Sequence, residues 1–292
     1  MSWYAGLEAI VERDVPLAEY TSFGLGGPAK FLAQPETPEQ VCDVINRCRD
    51  NGLALYVLGA GTNVLVADSG VNGVVLRLSG KGFGKVRRED DLLHAGAIAR
   101  LSIVVATAAR AGLAGAECLV GIPGSVGGAV RMNAGGSFGD VGSIIETVTV
   151  VDAAGHLLTR TKDDLMFGYR HTNINARIVL DASVRCLPGD GEQILRRMKE
   201  IWMIKKNTQP MSARSAGCVF KNPRGMSAGA LIDQAGLKGE SIGGCVISRK
   251  HANYLTVRKG AAAGDVLKMI EMVRRRVRER FDVELELELE IW

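Results

Sequence analysis

The spacing of hydrophobic positions predicts a strand followed by a helix near the start of the chain. Phe31 and Leu32 form a short apolar segment that is typical of a strand. Residues 37–40 (TPEQ) then begin a helix, with Thr37 as the capping residue and Gln40 able to complete a capping box. Gly52 ends this helix. Its buried face is predicted from apolar residues at helical spacing: Val41, Val44, Ile45 and Cys48.

The same periodicities predict the other large elements. Helical spacing marks residues 101–110, 193–206 and 265–281. Short apolar runs predict strands at residues 55–58, 147–152 and 177–187. Residues 283–291 (VELELELEI) alternate strictly, which predicts a single strand with one apolar face and one acidic face. The acidic face would carry Glu284, Glu286, Glu288 and Glu290.

Changes in residue composition and in predicted secondary structure along the chain predict its domain organisation. Residues 20–78 resemble a compact β-α-β unit, and a second region rich in short strands and glycines follows. The turn at residues 188–191 (PGDG) is the best candidate linker to a last third that contains basic helices. We therefore predict three domains, at residues 1–78, 79–189 and 190–292.

Composition narrows the class of protein. Of the 292 residues, 47% are hydrophobic and 23% are charged, so packed cores are expected and disorder is not. The formal net charge of +4 suits an anionic small molecule. No dense run of Lys and Arg with interleaved aromatic residues indicates nucleic-acid binding. The 36 glycines fall in clusters, which indicates loops where the backbone comes close to a ligand.

Cysteine spacing and hydropathy exclude further classes. The six cysteines include no C-x-x-C pair, and the four histidines have no metal-ligand spacing, so we expect reduced thiols and no metal. The N-terminus has no basic-then-apolar leader, and no apolar run approaches the ~20 residues of a membrane span. We therefore expect a cytoplasmic protein that does not contact membranes.

Two glycine-rich loops are the candidate cofactor site. The first, residues 57–64 (VLGAGTNV), follows a predicted strand but lacks the helix that a Rossmann site needs directly afterwards, so we reject that interpretation. The second, residues 121–136, offers backbone N–H groups near small polar side chains, which suits a pyrophosphate. Ser125 is not a nucleophile elbow, because Pro123 stands where that motif has its first Gly. A structural turn would explain one of the loops about as well.

Motifs along most of the chain resemble those of one enzyme family. The glycine loops resemble its FAD loops, and the other matches are residues 20–29 (YTSFGLGGPA), 167–170 (FGYR), 215–223 (SAGCVFKNP), 235–239 (AGLKG) and 250–252 (KHA). They occur in the family's order, from about Tyr20 to the C-terminus. The family is that of the UDP-N-acetylenolpyruvoylglucosamine reductases, and the chain resembles its shorter form.

The resemblance implies a fold and a reaction. The fold is α+β, with a two-part FAD-binding region of the vanillyl-alcohol-oxidase type and a separate α+β substrate-binding domain. In the implied reaction NADPH reduces FAD and leaves. The flavin then passes hydride to the vinyl carbon of UDP-N-acetylglucosamine enolpyruvate, and a proton completes UDP-N-acetylmuramate, a peptidoglycan precursor. We expect NADPH and the substrate to use one cleft in turn.

The resemblance also assigns two catalytic residues whose chemistry suits the reaction. Arg170 would hold the substrate carboxylate while charge builds on it. Without the motif, we would interpret Arg170 as part of an ordinary surface ion pair. Cys218 stands where the family usually has Ser, and a thiol with a reference pKa of about 8.5 remains protonated and can donate the proton. The alternative is that Cys218 is a small buried thiol and that water donates the proton.

Glu288 is the third catalytic candidate, by its position in the C-terminal segment. Leu287 and Glu290 stand where the family usually has Pro and a basic residue, so Glu286 is the runner-up. All four glutamates could also form a solvated acidic edge.

The resemblance also implies which residues contact the substrate and FAD. Lys206, Lys221 and Asn222 match positions expected to meet the diphosphate and the uridine of the substrate. The positions expected to contact FAD are Gly59, Ala60, Gly61, Thr62, Asn63, Gly124, Ser125, Gly128 and Asn133.

Two other functions remain open from the sequence. One is a flavin oxidase or dehydrogenase of the same architecture that acts on a hydroxy acid or alcohol, although it would have no reason to keep the motif at residues 218–223. The other is a non-catalytic nucleotide-sugar binding relative, which Cys218 in place of Ser keeps open. In each case we expect a monomer.

Overall fold

The computed structural model describes residues 2–292, which form two compact units. Unit 1 contains the residues up to Arg13 together with Phe31–Ala60 and Gly73–Ile204. Unit 2 contains Asp14–Lys30, Gly61–Asn72 and Lys205–Trp292. Each unit therefore combines segments that are distant in the sequence. The division into three domains at residues 1–78, 79–189 and 190–292 stays a prediction.

Within residues 2–292, six helices and twenty short strands follow one another, with 3₁₀ turns between some of them. The helices are α1 (Pro38–Asp50), α2 (Leu101–Arg110), α3 (Val126–Met132), α4 (Gly191–Thr208), α5 (Ala228–Gln234) and α6 (Ala263–Phe281). The first ten strands are β1 (Val11–Pro16), β2 (Pro28–Ala33), β3 (Leu55–Val57), β4 (Val64–Leu65), β5 (Val71–Leu76), β6 (Val86–Glu89), β7 (Leu92–Gly96), β8 (Leu113–Ala114), β9 (Gly135–Gly136) and β10 (Gly139–Asp140). The others are β11 (Ile145–Val151), β12 (Leu157–Thr161), β13 (Phe167–Gly168), β14 (His171–Thr172), β15 (Ile178–Arg185), β16 (Leu187–Pro188), β17 (Ser241–Ile242), β18 (Cys245–Ile247), β19 (Leu255–Val257) and β20 (Glu290–Ile291).

An antiparallel five-stranded sheet forms the centre of unit 1, in the order β12-β11-β15-β7-β6. Val148 pairs with Ala182, which pairs in turn with Ala95, and all three side chains are buried in one hydrophobic core. Their neighbours along the strands, such as Thr147 and Asp181, are polar, as expected when successive side chains point to opposite faces. The predicted strand at residues 177–187 is therefore confirmed, although it is divided into β15 and β16.

Helix α1 confirms the first predicted helix and corrects one detail of its cap. The Thr37 side chain accepts a hydrogen bond from the Gln40 N–H at 3.4 Å, so Thr37 caps the helix. The Gln40 side chain, however, accepts from the N–H of Glu36 at 2.8 Å and not from that of Thr37. The predicted reciprocal capping box is therefore wrong, because the long Gln side chain reaches one residue beyond the cap. The four apolar residues of the predicted face are buried.

Unit 2 has its own core, formed by α5, α6 and the small antiparallel sheet β17-β18-β19. Helix α6 buries one stripe of apolar side chains against this sheet: Val266, Met269, Ile270, Val273 and Val277. The arginines between them lie outside the core, as the amphipathic pattern predicts. Within residues 2–292 no helix is both long and apolar enough to cross a membrane.

The C-terminal segment is not the single long strand that its alternation predicts. Leu287 forms one isolated antiparallel bridge with Phe220, and only β20 continues as a strand, parallel to β4. The N–H groups of Glu288 and Leu289 both approach the carbonyl oxygen of Val219, at 2.8 and 3.2 Å. Because two donors share this acceptor, the chain bends here and changes its pairing partner.

A carboxylate from a distant loop caps the first turn of α6. The residue before the helix, Ala262, has no side-chain oxygen that could accept a hydrogen bond. Asp68 supplies both carboxylate oxygens instead, accepting from the N–H groups of Ala263 and Gly264 at 2.9 Å each. A negative charge at this end also complements the helix dipole. Asp68 therefore fastens the segment Gly61–Asn72 to the C-terminal part of unit 2.

We predict that Asp68→Ala lowers the free energy of unfolding of unit 2 by about 1–2 kcal/mol, the usual cost of losing a helix cap. Asp68→Asn keeps one acceptor oxygen and should lose less. Urea unfolding followed by the fluorescence of Trp292, in a background in which Trp3 and Trp202 are replaced by Phe, would measure both changes. Equal stability of the Asp68→Ala variant and the parent protein would contradict the capping role.

Candidate active site

The first glycine loop connects β3 to β4 and presents unbonded backbone donors. Within residues 2–292, the N–H groups of Gly59, Ala60, Gly61 and Thr62 make no hydrogen bond. Gly61 adopts φ +65°, and a Cβ placed there would lie 1.9 Å from the carbonyl oxygen of Tyr20, so only glycine fits. Consecutive free N–H groups around a left-handed residue form a concavity that binds anions.

The second glycine loop shows the same property at its turn into α3. The N–H groups of Val126 and Gly127 are donated to the carbonyl oxygens of Ala99 and Ala97, at 2.9 and 2.8 Å. Among the residues that the structure describes, the remaining donors of the turn find no partner: the N–H groups of Gly124, Ser125 and Gly128.

Gly59 of the first loop and Ser125 of the second lie close together, and both belong to unit 1. A Cβ placed at Gly59 would lie 2.9 Å from the hydroxyl oxygen of Ser125, a residue that is itself buried. The absence of a side chain at Gly59 therefore leaves room for a ligand or for the Ser125 hydroxyl. The unbonded N–H groups on both loops, together with the space left at Gly59, fit the pyrophosphate of a dinucleotide such as FAD.

Asn133 is a predicted FAD residue whose side chain is engaged in the fold. It ends α3 in a left-handed conformation, with φ +45°. Its Nδ2 donates to the carbonyl oxygen of Gly168 at 2.8 Å, and its Oδ1 accepts from the N–H of Gly142 at 3.0 Å. Asn133 therefore ties α3 to the β13–β14 hairpin. Direct contact with FAD stays a prediction.

Arg170 lies in the two-residue turn of that hairpin, between β13 and β14. Its φ of +53° belongs to the left-handed region, which costs a non-glycine residue roughly 1–2 kcal/mol. Its Nη2 donates to the carbonyl oxygen of Gly135 at 3.0 Å, and its guanidinium lies 5.1 Å from the centre of the Tyr169 ring. A half-buried arginine that is kept in a strained turn is typical of a functional site.

In unit 2 the structure places Cys218 and Glu288 on adjoining extended segments. Cys218 forms an antiparallel bridge with Tyr254 on one side. On the other side, the carbonyl oxygen of Val219 accepts the N–H of Glu288 at 2.8 Å. The segment that contains Cys218 is therefore the central one of three.

Among the four C-terminal glutamates, Glu288 is the one that is not exposed. Its main chain is fixed, because its carbonyl oxygen accepts from Nδ2 of Asn63, the last predicted FAD residue of the first loop, at 2.8 Å. The Glu286 side chain is 78% exposed and lies 3.5 Å from Nζ of Lys221. The bend after Leu287 explains the difference, since it removes Glu288 from the solvated face. Glu288 is thus less exposed than Glu286, and its catalytic role stays a prediction.

The predicted substrate residues of unit 2 are placed by backbone contacts. Lys206 is exposed in the last turn of α4, and its carbonyl oxygen accepts from Nζ of Lys250 at 2.6 Å. The Asn222 side-chain oxygen accepts from the N–H of Ala228 at 3.0 Å, at the start of α5. Lys221 pairs with Glu286, as described above. Their contacts with substrate stay predictions.

The cysteines of the chain differ in how far their thiols are buried. It raises the pKa of Cys48 and Cys186 to about 11 and that of Cys245 to about 12, so these thiols stay protonated and unreactive at neutral pH. Cys218 is only partly buried. Burial also lowers the pKa of His251, with a further contribution from the nearby Lys238. Within residues 2–292, no group of three or more His, Cys, Asp or Glu side chains could hold a metal ion.

Comparisons with known proteins agree along both halves of the chain. A family model described as FAD binding domain matches residues 29–161, and one described as the C-terminal domain of UDP-N-acetylenolpyruvoylglucosamine reductase matches residues 209–292. The reductase of that name from Clostridium novyi is 40% identical, over 98% of this chain and 94% of its own. The chain belongs to the UDP-N-acetylenolpyruvoylglucosamine reductase family. A relative from Clostridium botulinum (strain Hall) is also 40% identical, over 95% of this chain and 91% of its own.

A solved structure extends the agreement to the fold of the family. The crystal structure of the UDP-N-acetylenolpyruvylglucosamine reductase from Thermus caldophilus is similar, with a TM-score of 0.82 and 41% identity. The match covers 97% of this chain and 98% of the other. The predicted fold class, an FAD-binding region followed by a C-terminal reductase domain, is thus confirmed, as is FAD as the cofactor.

We predict that Gly61→Ala abolishes stable FAD binding, because the added methyl group collides with the Tyr20 carbonyl and displaces the loop donors. Gly52→Ala is the matched control. Gly52 has a similar φ of +62°, but no atom lies within 4 Å of an added Cβ. The ratio of absorbance at 450 nm to that at 280 nm in the purified proteins measures bound flavin. A normal flavin content in the Gly61→Ala variant would contradict the role of the loop.

Proposed function

We propose that this chain catalyses the NADPH-dependent, FAD-mediated reduction of UDP-N-acetylglucosamine enolpyruvate to UDP-N-acetylmuramate. The observation that carries the proposal is the hydrogen bond between Glu288 N–H and the Val219 carbonyl oxygen, which puts a thiol and a carboxylate on adjoining segments. Membership of the reductase family supports the identity of the substrate. The reaction would supply peptidoglycan synthesis in the cytoplasm, by an enzyme that acts as a monomer.

The chemistry that bound FAD would supply is the transfer of hydride from NADPH to the substrate. The residues of this chain that would hold the pyrophosphate are the two glycine loops, through the free N–H groups of Gly59, Ala60, Gly61, Thr62, Gly124, Ser125 and Gly128. Asn63 and Asn133 would hold the ends of the loops in place, because the side-chain amide of Asn63 donates to the carbonyl oxygen of Glu288 and that of Asn133 donates to the carbonyl oxygen of Gly168.

Arg170 is proposed to bind the substrate carboxylate. Hydride addition to an enol ether leaves negative charge that spreads onto this carboxylate, so a fixed cation stabilises the transition state more than the ground state. A guanidinium remains charged at every relevant pH and matches a carboxylate with two donors. The bond to the Gly135 carbonyl would keep its fork oriented before substrate binds.

Cys218 is proposed to donate the proton from Sγ to the carbon that bears the ether oxygen. A thiol of ordinary pKa is largely protonated at neutral pH and is a stronger acid than a serine hydroxyl. Glu288 is proposed as the second acid–base group, able to return a proton to the thiolate before the next turnover. Lys206, Lys221 and Asn222 would bind the diphosphate and uridine of the substrate, with the lysines acting as point charges.

We predict that Glu288→Gln lowers kcat for NADPH oxidation with the enolpyruvyl substrate by about 10²-fold or more, because it removes an acid–base group. Glu286→Gln is the matched control and should stay within about threefold, since Glu286 is exposed and pairs only with Lys221 among the contacts described above. Steady-state rates of both variants decide between them. Normal turnover in Glu288→Gln with loss in Glu286→Gln would reverse the assignment.

We predict that Cys218→Ala lowers kcat by about 10²–10⁴-fold, the usual contribution of a positioned proton donor. Cys218→Ser should keep most of the activity, because a hydroxyl is the donor that the family resemblance implies at this position. Alkylation of the native protein should inactivate it, and bound substrate should slow the inactivation. Full activity of enzyme labelled at Cys218 would eliminate the donor role.

A further inference from the structure

One buried amide holds the segment that contains Cys218. Asn253 is 3% exposed and lies in the loop before β19. Its Oδ1 accepts from the N–H of Phe220 at 2.9 Å, and its Nδ2 donates to the carbonyl oxygen of the same residue at 2.7 Å. Its main-chain carbonyl oxygen accepts from the N–H of Val219 at 2.9 Å. The side chain thus takes the place of a neighbouring strand.

The bonds made by Asn253 continue the backbone pairing between residues 214–218 and residues 254–257, at the point where strand-to-strand hydrogen bonds end. The Arg214 carbonyl accepts from the N–H of Val257, and Cys218 forms its bridge with Tyr254. In the part of the chain that the structure describes, no strand residue next to Tyr254 pairs with the N–H and C=O of Phe220, and the Asn253 amide supplies both partners. Phe220 is only 1% exposed, so its N–H and C=O could not be satisfied by bulk water.

The backbone at Val219 and Phe220, to which Asn253 bonds, also contacts the segment that contains Glu288. Phe220 bridges Leu287 on its other edge, and Val219 accepts the N–H of Glu288. A shift of the backbone at Val219 and Phe220 would therefore move both the thiol before them and the carboxylate beside them. Asn253 contacts neither of those functional groups through its side-chain hydrogen bonds, which both go to Phe220.

We propose that Asn253 is a positioning residue that fixes the Cys218 thiol for proton transfer to the substrate carbon. The proposal rests on the proposed role of Cys218 as the donor. A purely structural Asn253 would affect the stability of unit 2, whereas a positioning residue also affects the oxidation of reduced flavin by substrate and the reactivity of one thiol.

The first experiment compares Asn253→Ala with the control Thr256→Val. Thr256 lies in β19 and loses one comparable bond, from its hydroxyl to the carbonyl oxygen of Val246 at 3.3 Å, without contact to the Cys218 segment through that bond. In Asn253→Ala we expect flavin reduction by NADPH within about twofold of the parent and reoxidation by saturating substrate slowed at least tenfold. The KM for substrate should change much less than kcat. Thr256→Val should leave both steps unchanged.

A readout that does not depend on turnover is the alkylation rate of Cys218. Mass spectrometry of peptides after timed iodoacetamide treatment measures it, with the partly exposed Cys118 of unit 1 as an internal reference. We expect Asn253→Ala to change the rate at Cys218 by at least fivefold and to leave that at Cys118 unchanged. Equal rates at Cys218, together with parent-like reoxidation, would overturn the proposal even if the variant unfolds at a lower temperature.

Asn253→Asp tests the geometry through pH. An ionised aspartate can accept from the Phe220 N–H but repels the Phe220 carbonyl oxygen, whereas a protonated one restores the donor. The defect in reoxidation should therefore diminish as the pH falls from 8 towards 5.5. The neighbouring titratable group is His251, whose Nδ1 accepts the Asn253 N–H at 3.3 Å and which Lys238 influences; the parent profile over the same range corrects for it. A defect of constant size would contradict the proposed hydrogen bonds.

The Cys218→Ala variant separates the two possible failures. Parent-like reoxidation in Cys218→Ala would overturn the donor role and this proposal with it. Slow reoxidation in Cys218→Ala but normal reoxidation in Asn253→Ala would overturn only the role of Asn253.

Discussion

Main-chain hydrogen bonding of the segment at residues 218–221 is the constraint on which the chemistry of unit 2 depends. One edge of this segment bonds to Asn253 and Tyr254, and the other to the residues around Leu287. Neither neighbour is a regular strand along its whole length, so bridges, a side-chain amide and a shared carbonyl complete the ladder. These irregularities bring Cys218 and Glu288 onto adjoining segments while the core side chains beside them remain packed.

Backbone N–H groups are also the important feature of the two glycine loops, where several of them lack a hydrogen-bond partner among the described residues. A folded protein tolerates such donors where a ligand or solvent supplies the acceptor. The pattern is selective, since Val126 and Gly127 are paired while Gly124, Ser125 and Gly128 next to them are not. The strained Arg170 belongs to unit 1 and is supported by Asn133 through the hairpin.

Much of this could be predicted from local sequence, and the rest depended on tertiary contacts. The spacing of Val41, Val44, Ile45 and Cys48 was sufficient for α1, and the two glycine loops were recognisable by composition. The role of Asn253 gave no local signal, because a buried Asn is identified only by the backbone groups it meets. The alternation at residues 283–291 predicted which leucines are buried but not the bend, which arises from two N–H groups that share the Val219 carbonyl oxygen. The predicted Gln40 capping bond failed for a similar reason, since side-chain length allowed a second acceptor geometry.

The family-level assignment leaves one question of chemistry, namely a thiol at position 218, where the resemblance implies a hydroxyl. The measurement that tests the account most directly is an anaerobic half-reaction. The yellow protein is reduced with one equivalent of NADPH, and UDP-N-acetylglucosamine enolpyruvate is then added. The account predicts prompt return of the oxidised flavin spectrum with formation of UDP-N-acetylmuramate. A flavin that bleaches with NADPH but stays reduced after the addition would contradict the proposed reaction.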